Sequence, residues 1–171
     1  MTIHFVRCES DDDFAKASSF MLQHRFDLDP AMTTLDAVAL MYTYITEGHL
    51  IQVLDGEGRV IAIGAYYYGS RGQAAQDEET ALIDMALVDW NHRGTRLFLK
   101  GLTFMIGQII EHHPKVQEVR VVAQAKNAYT CRLYGKFLEQ AGTREGSSGQ
   151  EMLFCGKVNN LTSILKKWNK V

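Results

Sequence analysis

Residues 80–102, TALIDMALVDWNHRGTRLFLKGL, decide the fold. Residues 80–88 are an apolar run interrupted by one acid, Asp84, the pattern of a strand buried in a sheet. Farther on, Phe98, Leu102, Met105, Ile106 and Ile109 recur at the spacing of an amphipathic helix that closes at Pro114. A strand running straight into a helix brings unpaired N–H groups and the positive end of the helix dipole to the turn. That turn nevertheless carries His92, Arg93 and Arg96, whose charges cost stability unless an anion lies beside them. The geometry is one that binds phosphate. The other reading is two exposed arginines whose stems cover apolar surface or pair with local acids.

Working outward, strand 80–88, helix 96–112 and strand 117–124 form a right-handed crossover with parallel strands. Upstream, IHFVRC is a short strand, and Ser10 with Asp11 to Asp13 opens a helix that buries Phe14, Ala17, Met21 and Leu22 and closes at Pro30. A second helix begins near Thr33, with Asp36 completing a capping box, and presents Leu35, Val38, Tyr42 and Ile45 as its apolar stripe before Gly48. Residues 49–69 form a hairpin about Asp55-Gly56-Glu57-Gly58, and the polar residues 70–79 form a loop. Downstream of 124, the pattern predicts a helix from Asn127 to about Gln140. A hairpin with its turn in GTREGSSGQ follows, then the strand EMLFCGKV, and last a helix over about 159–169 carrying Leu161, Ile164, Leu165 and Trp168. The order βααβββαβαββ plus a C-terminal helix predicts one domain over 1–171, of class α/β (α+β), with a mixed, mostly antiparallel sheet.

The composition bounds function more than it defines it. At 171 residues, 46% hydrophobic, 22% charged and a net charge of −2, the chain has a core and no general attraction for nucleic acid or an anionic membrane. Cys8, Cys131 and Cys155 contain no CxxC and read as reduced thiols, neither a disulfide framework nor a zinc site. His112 and His113 lack further ligands at helical spacing, so no metal is expected. No signal-like or membrane-length apolar run occurs, and a cytoplasmic location is the expectation.

The stretch LVDWNHRGTRLF resembles the acetyl-coenzyme A signature of the GCN5-related N-acetyltransferases (GNAT), an Arg or Gln followed by glycines three and five positions later. Arg93 matches the first position, and Gly94 is the glycine many members carry beside it. Arg96 and Phe98 stand where small residues are the rule. A later stretch, NAYTCRLYGKFLEQAG, is similar to the family's second motif through Asn127, Leu133 and Tyr134, while Gly142 matches only loosely the glycine that follows this helix. The resemblance spans nearly the whole chain and implies a three-layer fold whose central parallel strand pair splays apart. It implies acetyl-coenzyme A as the acyl donor, with Ala86, Leu87 and Val88 holding the pantetheine arm. The backbone of Arg93, Gly94, Thr95, Arg96, Leu97 and Phe98 would hold the pyrophosphate. Asn127 belongs to the same implied cofactor site.

Transfer to an amine needs a polarised carbonyl, a base and a proton for the departing thiolate. A strand N–H near Leu87 suits the oxyanion. Tyr134 suits the proton donor, because a phenol stays protonated where a thiol does not. Asp84 shares side-chain parity with Ala86 and Val88 and suits the base. Each has a plainer reading: Asn127 as an N-cap, Tyr134 as a core aromatic, Asp84 as a strand-edge carboxylate, Cys131 as packing. The run Tyr66-Tyr67-Tyr68 alternates faces and offers one or two rings to a cleft. Acids at Asp27, Asp29 and Asp77 to Glu79 fall in predicted loops and suit a cationic acceptor, a small-molecule or peptide amine. Trp168 on the terminal helix stripe leaves a partner or dimer interface open. The alternative to an enzyme is a GNAT-fold regulatory or protein-binding module in which Arg96 and Phe98 fill the groove.

Overall fold

The computed structural model describes residues 2–69, 78–146 and 149–170. In chain order the elements are β1 (His4–Arg7), α1 (Asp11–Leu28), α2 (Thr34–Glu47), β2 (His49–Leu54), β3 (Val60–Tyr68), β4 (Thr80–Val88), a 3₁₀ turn (Trp90–His92), α3 (Leu97–His112), β5 (Glu118–Gln124), α4 (Ala128–Tyr134), β6 (Glu139–Gly146), β7 (Gly149–Lys157) and α5 (Val158–Asn169). The strands form one sheet in the order β1-β2-β3-β4-β5-β7-β6. Pairs β1·β2, β2·β3, β5·β7 and β6·β7 are antiparallel, and β4·β5 is parallel. The parallel register runs from Thr80↔Glu118 to Ile83↔Val121, while β4 continues to Val88 and β5 to Gln124.

Local chemistry accounts for the element starts. Ser10 Oγ accepts the Asp13 N–H at 3.2 Å and the Asp13 carboxylate accepts the Ser10 N–H; Thr33 and Asp36 repeat the box at α2. Each such cap contributes roughly 1 kcal/mol. The β2–β3 turn is tied by Asp55, whose Oδ1 accepts the Glu57 and Arg59 N–H groups at 2.9 Å. Only Gly58 in that turn has positive φ, at 78°.

The chain divides into two compact units, Met1–Tyr67 with Met85–Met105, and Tyr68–Asp84 with Ile106–Val171. In the first, Ala17, Phe20 and Met21 of α1 and Ala37, Met41 and Tyr44 of α2 are buried with Leu50, Ile51, Val53, Ile61 and Ile63 of the strands. The predicted stripe of α2 is therefore on the wrong face: Leu35 is 76% exposed and Tyr42 69%, and Val38 is exposed too. Two apolar stripes at helical spacing compete in this helix, and periodicity cannot choose between them. On the inner face Tyr44 tilts onto Tyr67 at 5.8 Å. Tyr66 and Tyr67 are both buried, Tyr66 stacked on His49 at 4.8 Å and hydrogen-bonded from Arg7 at 2.8 Å. They are core residues, not cleft linings.

In the second unit Val119, Val121 and Ala123 of β5, Phe154 of β7, Ile106 and Ile109 of α3, and Val158, Leu161 and Leu165 of α5 form the core. The predicted helix 127–140 is too long. It ends at Tyr134, and Glu139 and Gln140 pair with Cys155 and Phe154 in the β6·β7 ladder. Ladder pairing across the sheet overrides a local helical pattern there. On α5, Trp168 is 37% exposed and lies edge-on to Phe137 at 6.4 Å, with Lys136 Nζ 5.7 Å from the indole. Tyr68 stacks on His113 at 4.2 Å. Part of the predicted 70–79 loop and the tip of the β6–β7 hairpin lie outside the described residues.

Candidate active site

The turn after β4 belongs to the first unit. Asp89 N–H donates to Ile61 O at 2.9 Å, the 3₁₀ turn follows, and Gly94 takes φ 74°, which a residue with a side chain adopts only at a cost. Thr95 Oγ1 donates to His92 O at 2.6 Å and accepts the Leu97 N–H at 3.2 Å, so a side chain caps the start of α3. Leu97 is buried in a cluster with Val53, Ile61 and Ala62, against which Val88 packs. Gly94, Thr95 and Arg96 are exposed, the space where a Gly94 side chain would stand is open, and Phe98 is half-buried. On β4, Ala86 is exposed and Val88 half-buried, while Leu87 faces the core.

Arg93 is placed by its own unit. Its Nε donates to Val88 O at 3.1 Å, its Nη2 pairs with Asp27 at 2.9 Å, and its guanidinium lies 4.1 Å above the Trp90 ring. Trp90 Nε1 also donates to Asp27, at 3.2 Å, and His24 Nδ1 lies 3.5 Å from the same carboxylate. Asp27 is thus an α1 residue, not a loop residue, and it supplies the anion that the cationic turn requires. Asp29 is similarly placed by backbone chemistry: it caps α1, and its carboxylate accepts the Ala31 N–H at 2.9 Å. His92 pairs with Asp89 at 3.1 Å.

The remaining candidates belong to the second unit. Asp84 is half-buried, and Arg144 Nη2 lies 3.5 Å from its Oδ1; Arg144 Nε in turn pairs with Glu151 at 2.6 Å. Asn127 is exposed and accepts the Thr130 N–H at 3.1 Å as the N-cap of α4. The Cys131 thiol donates to Gln124 O at 3.4 Å, and burial raises its pKa. Tyr134 is only 2% exposed, with its ring 6.1 Å from Phe137 and 5.8 Å from Phe154. Burial pushes the phenol far above its ordinary range, so it is held protonated. Glu78 pairs with Lys115 at 2.5 Å, and Asp77 lies outside the described residues.

The contacts of Asp27 with Trp90, in the first unit, and of Arg144 with Asp84 and Glu151, in the second, have no signal in the sequence. Trp90 and Asp27 are 63 residues apart and Arg144 and Asp84 are 60 apart, separations at which no periodicity carries a signal. Among the described residues no group of three or more His, Cys, Asp or Glu side chains is arranged to hold a metal, and no helix is long and apolar enough to cross a membrane.

No family model and no curated protein matches the chain. Solved structures do. The chain is similar over 92% of its length to 93% of the ribosomal-protein-S5-alanine acetyltransferase from Vibrio fischeri, with a TM-score of 0.67 and 11% identity. It matches 99% of an acetyltransferase of the GNAT family from Streptococcus pneumoniae over 91% of its own length, at 0.66 and 11%. Over 95% of its length it matches 98% of aminoglycoside acetyltransferase AAC(6')-Ib, whose structure holds coenzyme A, at 0.70 and 15%. Strand order, the parallel β4·β5 pair, the C-terminal helix and these similarities agree, and the chain has the fold of the GCN5-related N-acetyltransferase superfamily.

Proposed function

We propose that the protein is an N-acetyltransferase that moves the acetyl group of acetyl-coenzyme A to a primary amine by direct attack in a ternary complex. One observation carries this reading: the parallel ladder stops at Ile83↔Val121 while β4 runs on to Val88 and directly into the exposed turn before α3. The backbone of Ala86, Leu87 and Val88 is then available to an extended pantetheine arm. The backbone of Gly94, Thr95 and Arg96 takes the diphosphate, aided by the dipole of α3. The coenzyme A complex of a neighbour with the same fold supports this choice of cosubstrate.

Acetyl-coenzyme A supplies an activated thioester. A backbone N–H of β4 near Leu87 is the donor for the oxyanion, a contribution of about 3–4 kcal/mol per donor. Asp84 accepts the proton that the amine must lose to present its lone pair. As the carbon–nitrogen bond forms and the carbon–sulfur bond breaks, the sulfur leaves as the thiolate and accepts a hydrogen bond from the Tyr134 hydroxyl. Arg93 serves this site indirectly, by fixing the turn through Asp27 and Trp90. Asn127 sets the start of α4 and hence the position of Tyr134.

The test is a calorimetric titration with acetyl-coenzyme A, coenzyme A and ATP, followed by thiol release with a panel of amines. The expected result is micromolar binding of both coenzyme A forms, weaker binding of ATP, and amine-dependent thiol release. Absence of binding at millimolar ligand would overturn the reading and leave the fold without the activity.

A further inference from the structure

We infer that Trp90 is a further cosubstrate-binding residue, a fixed platform on which the adenine of acetyl-coenzyme A stacks. The inference rests on the N-acetyltransferase reading and extends it to the nucleotide end of the cosubstrate.

Trp90 is 67% exposed, so its indole forgoes most of the stabilisation that burial would give it. A lone exposed aromatic is ordinary where its side chain is loose. Trp90 is held. Its Nε1–H donates to Asp27 Oδ1 at 3.2 Å, and the Arg93 guanidinium lies 4.1 Å from the ring centroid. Arg93 is itself fixed, by Asp27 Oδ2 at 2.9 Å and by Val88 O at 3.1 Å. The backbone is tied as well, since the Asp89 N–H donates to Ile61 O and the Arg93 N–H to Trp90 O. The rotamer entropy that a ligand would have to remove from Trp90 and Arg93 is therefore already spent. A guanidinium covers one face of the ring, and with so much of the residue exposed the opposite face is open.

The platform belongs to the same unit as the turn proposed for the diphosphate. Gly94 follows Trp90 by four positions, and Thr95 Oγ1 donates to His92 O at 2.6 Å, which ties the 3₁₀ turn to the start of α3. In coenzyme A a single ribose separates the diphosphate from the adenine. A diphosphate at Gly94 to Arg96 thus leaves the base within reach of the indole. The pantetheine arm and the acetyl group carry no flat ring, and adenine is the part of the cosubstrate that an open aromatic face recognises. Loss of such a platform weakens binding by about 5- to 100-fold.

The experiment measures dissociation constants of coenzyme A and of acetyl-4′-phosphopantetheine, which lacks the nucleotide, in the wild type, Trp90→Phe and Trp90→Leu. It also follows indole fluorescence in Trp168→Phe, which leaves Trp90 as the one tryptophan. Coenzyme A should quench Trp90, because a stacked purine quenches an indole, and acetyl-4′-phosphopantetheine should not. Trp90→Leu should weaken coenzyme A by about 5- to 100-fold and leave acetyl-4′-phosphopantetheine unchanged. Trp90→Phe loses the bond to Asp27 but keeps a ring, and should retain most of the affinity for coenzyme A. Equal weakening of both ligands would reduce Trp90 to a support for the turn. Equal losses in Phe and Leu would assign the effect to the Asp27 bond, and an unquenched indole at saturating coenzyme A would place the base elsewhere. Quenching only on addition of an amine would give the ring to the acceptor. Each of these four results overturns the inference and, with coenzyme A bound by the wild type, leaves the acetyltransferase reading standing. No wild-type binding of coenzyme A overturns both.

Discussion

Arg93 shows how one side chain's partners change its meaning. Beside a helix N-terminus it reads as a phosphate ligand, but its guanidinium is committed to Asp27, Trp90 and Val88 O. Arg93→Ala should therefore cost stability, about 1–3 kcal/mol from the lost hydrogen bonds and the unpaired Asp27, and weaken coenzyme A binding as the turn loosens. Arg96→Ala should weaken binding with a smaller loss of stability. Denaturant midpoints beside calorimetric titrations separate the two, and equal stability losses would contradict the placement. At Tyr134, replacement by Phe keeps the ring against Phe137 and Phe154 and removes only the hydroxyl. The expected result is kcat lower by about 10²-fold with KM for acetyl-coenzyme A unchanged, and unchanged kcat would remove its role toward the leaving thiolate.

At the scale of elements, the helix starts make the fold acid-sensitive. Hydrogen bonds from the Glu9 and Ser10 backbone hold the Asp13 carboxyl below its ordinary range, and the Thr33 hydroxyl and backbone do the same for Asp36. A pKa depressed by folding contributes stability that is present above the unfolded value of about 4 and lost as the pH falls through the folded value. Urea midpoints should fall below about pH 4. Asp13→Asn and Asp36→Asn should lower stability at pH 7 and flatten that acid limb; an unchanged limb in the double variant would exclude the caps as its cause. The face of α2 is checked in the same way. Met41→Ala should cost about 2–5 kcal/mol, whereas Leu35→Lys should stay within about 0.5 kcal/mol. The reverse order would restore the stripe predicted from periodicity.

Over the whole molecule, acetyl-coenzyme A at ~100 Kd should stabilise the folded chain by roughly 2.7 kcal/mol, visible as a rise in Tm that ATP does not match. What the sequence by itself determined is local in origin. The capping boxes at Ser10 and Thr33, the order of elements, the alternation on β5 and the passage of β4 through a tight turn into α3 are all set by residues within a few positions of one another. For that reason the fold and the positions of Ala86–Val88 and Gly94–Phe98 at a strand–turn–helix were legible in it. Tertiary structure decided what depends on distant partners. It chose Ala37, Met41 and Tyr44 as the inner face of α2, ended α4 at Tyr134 in favour of the β6·β7 ladder, and buried Tyr66 and Tyr67. It also joined Asp27 to Arg93 and Asp84 to Arg144. Pairings between residues some sixty positions apart leave no periodic trace in a chain, because only the folded backbone brings those charges within reach of each other.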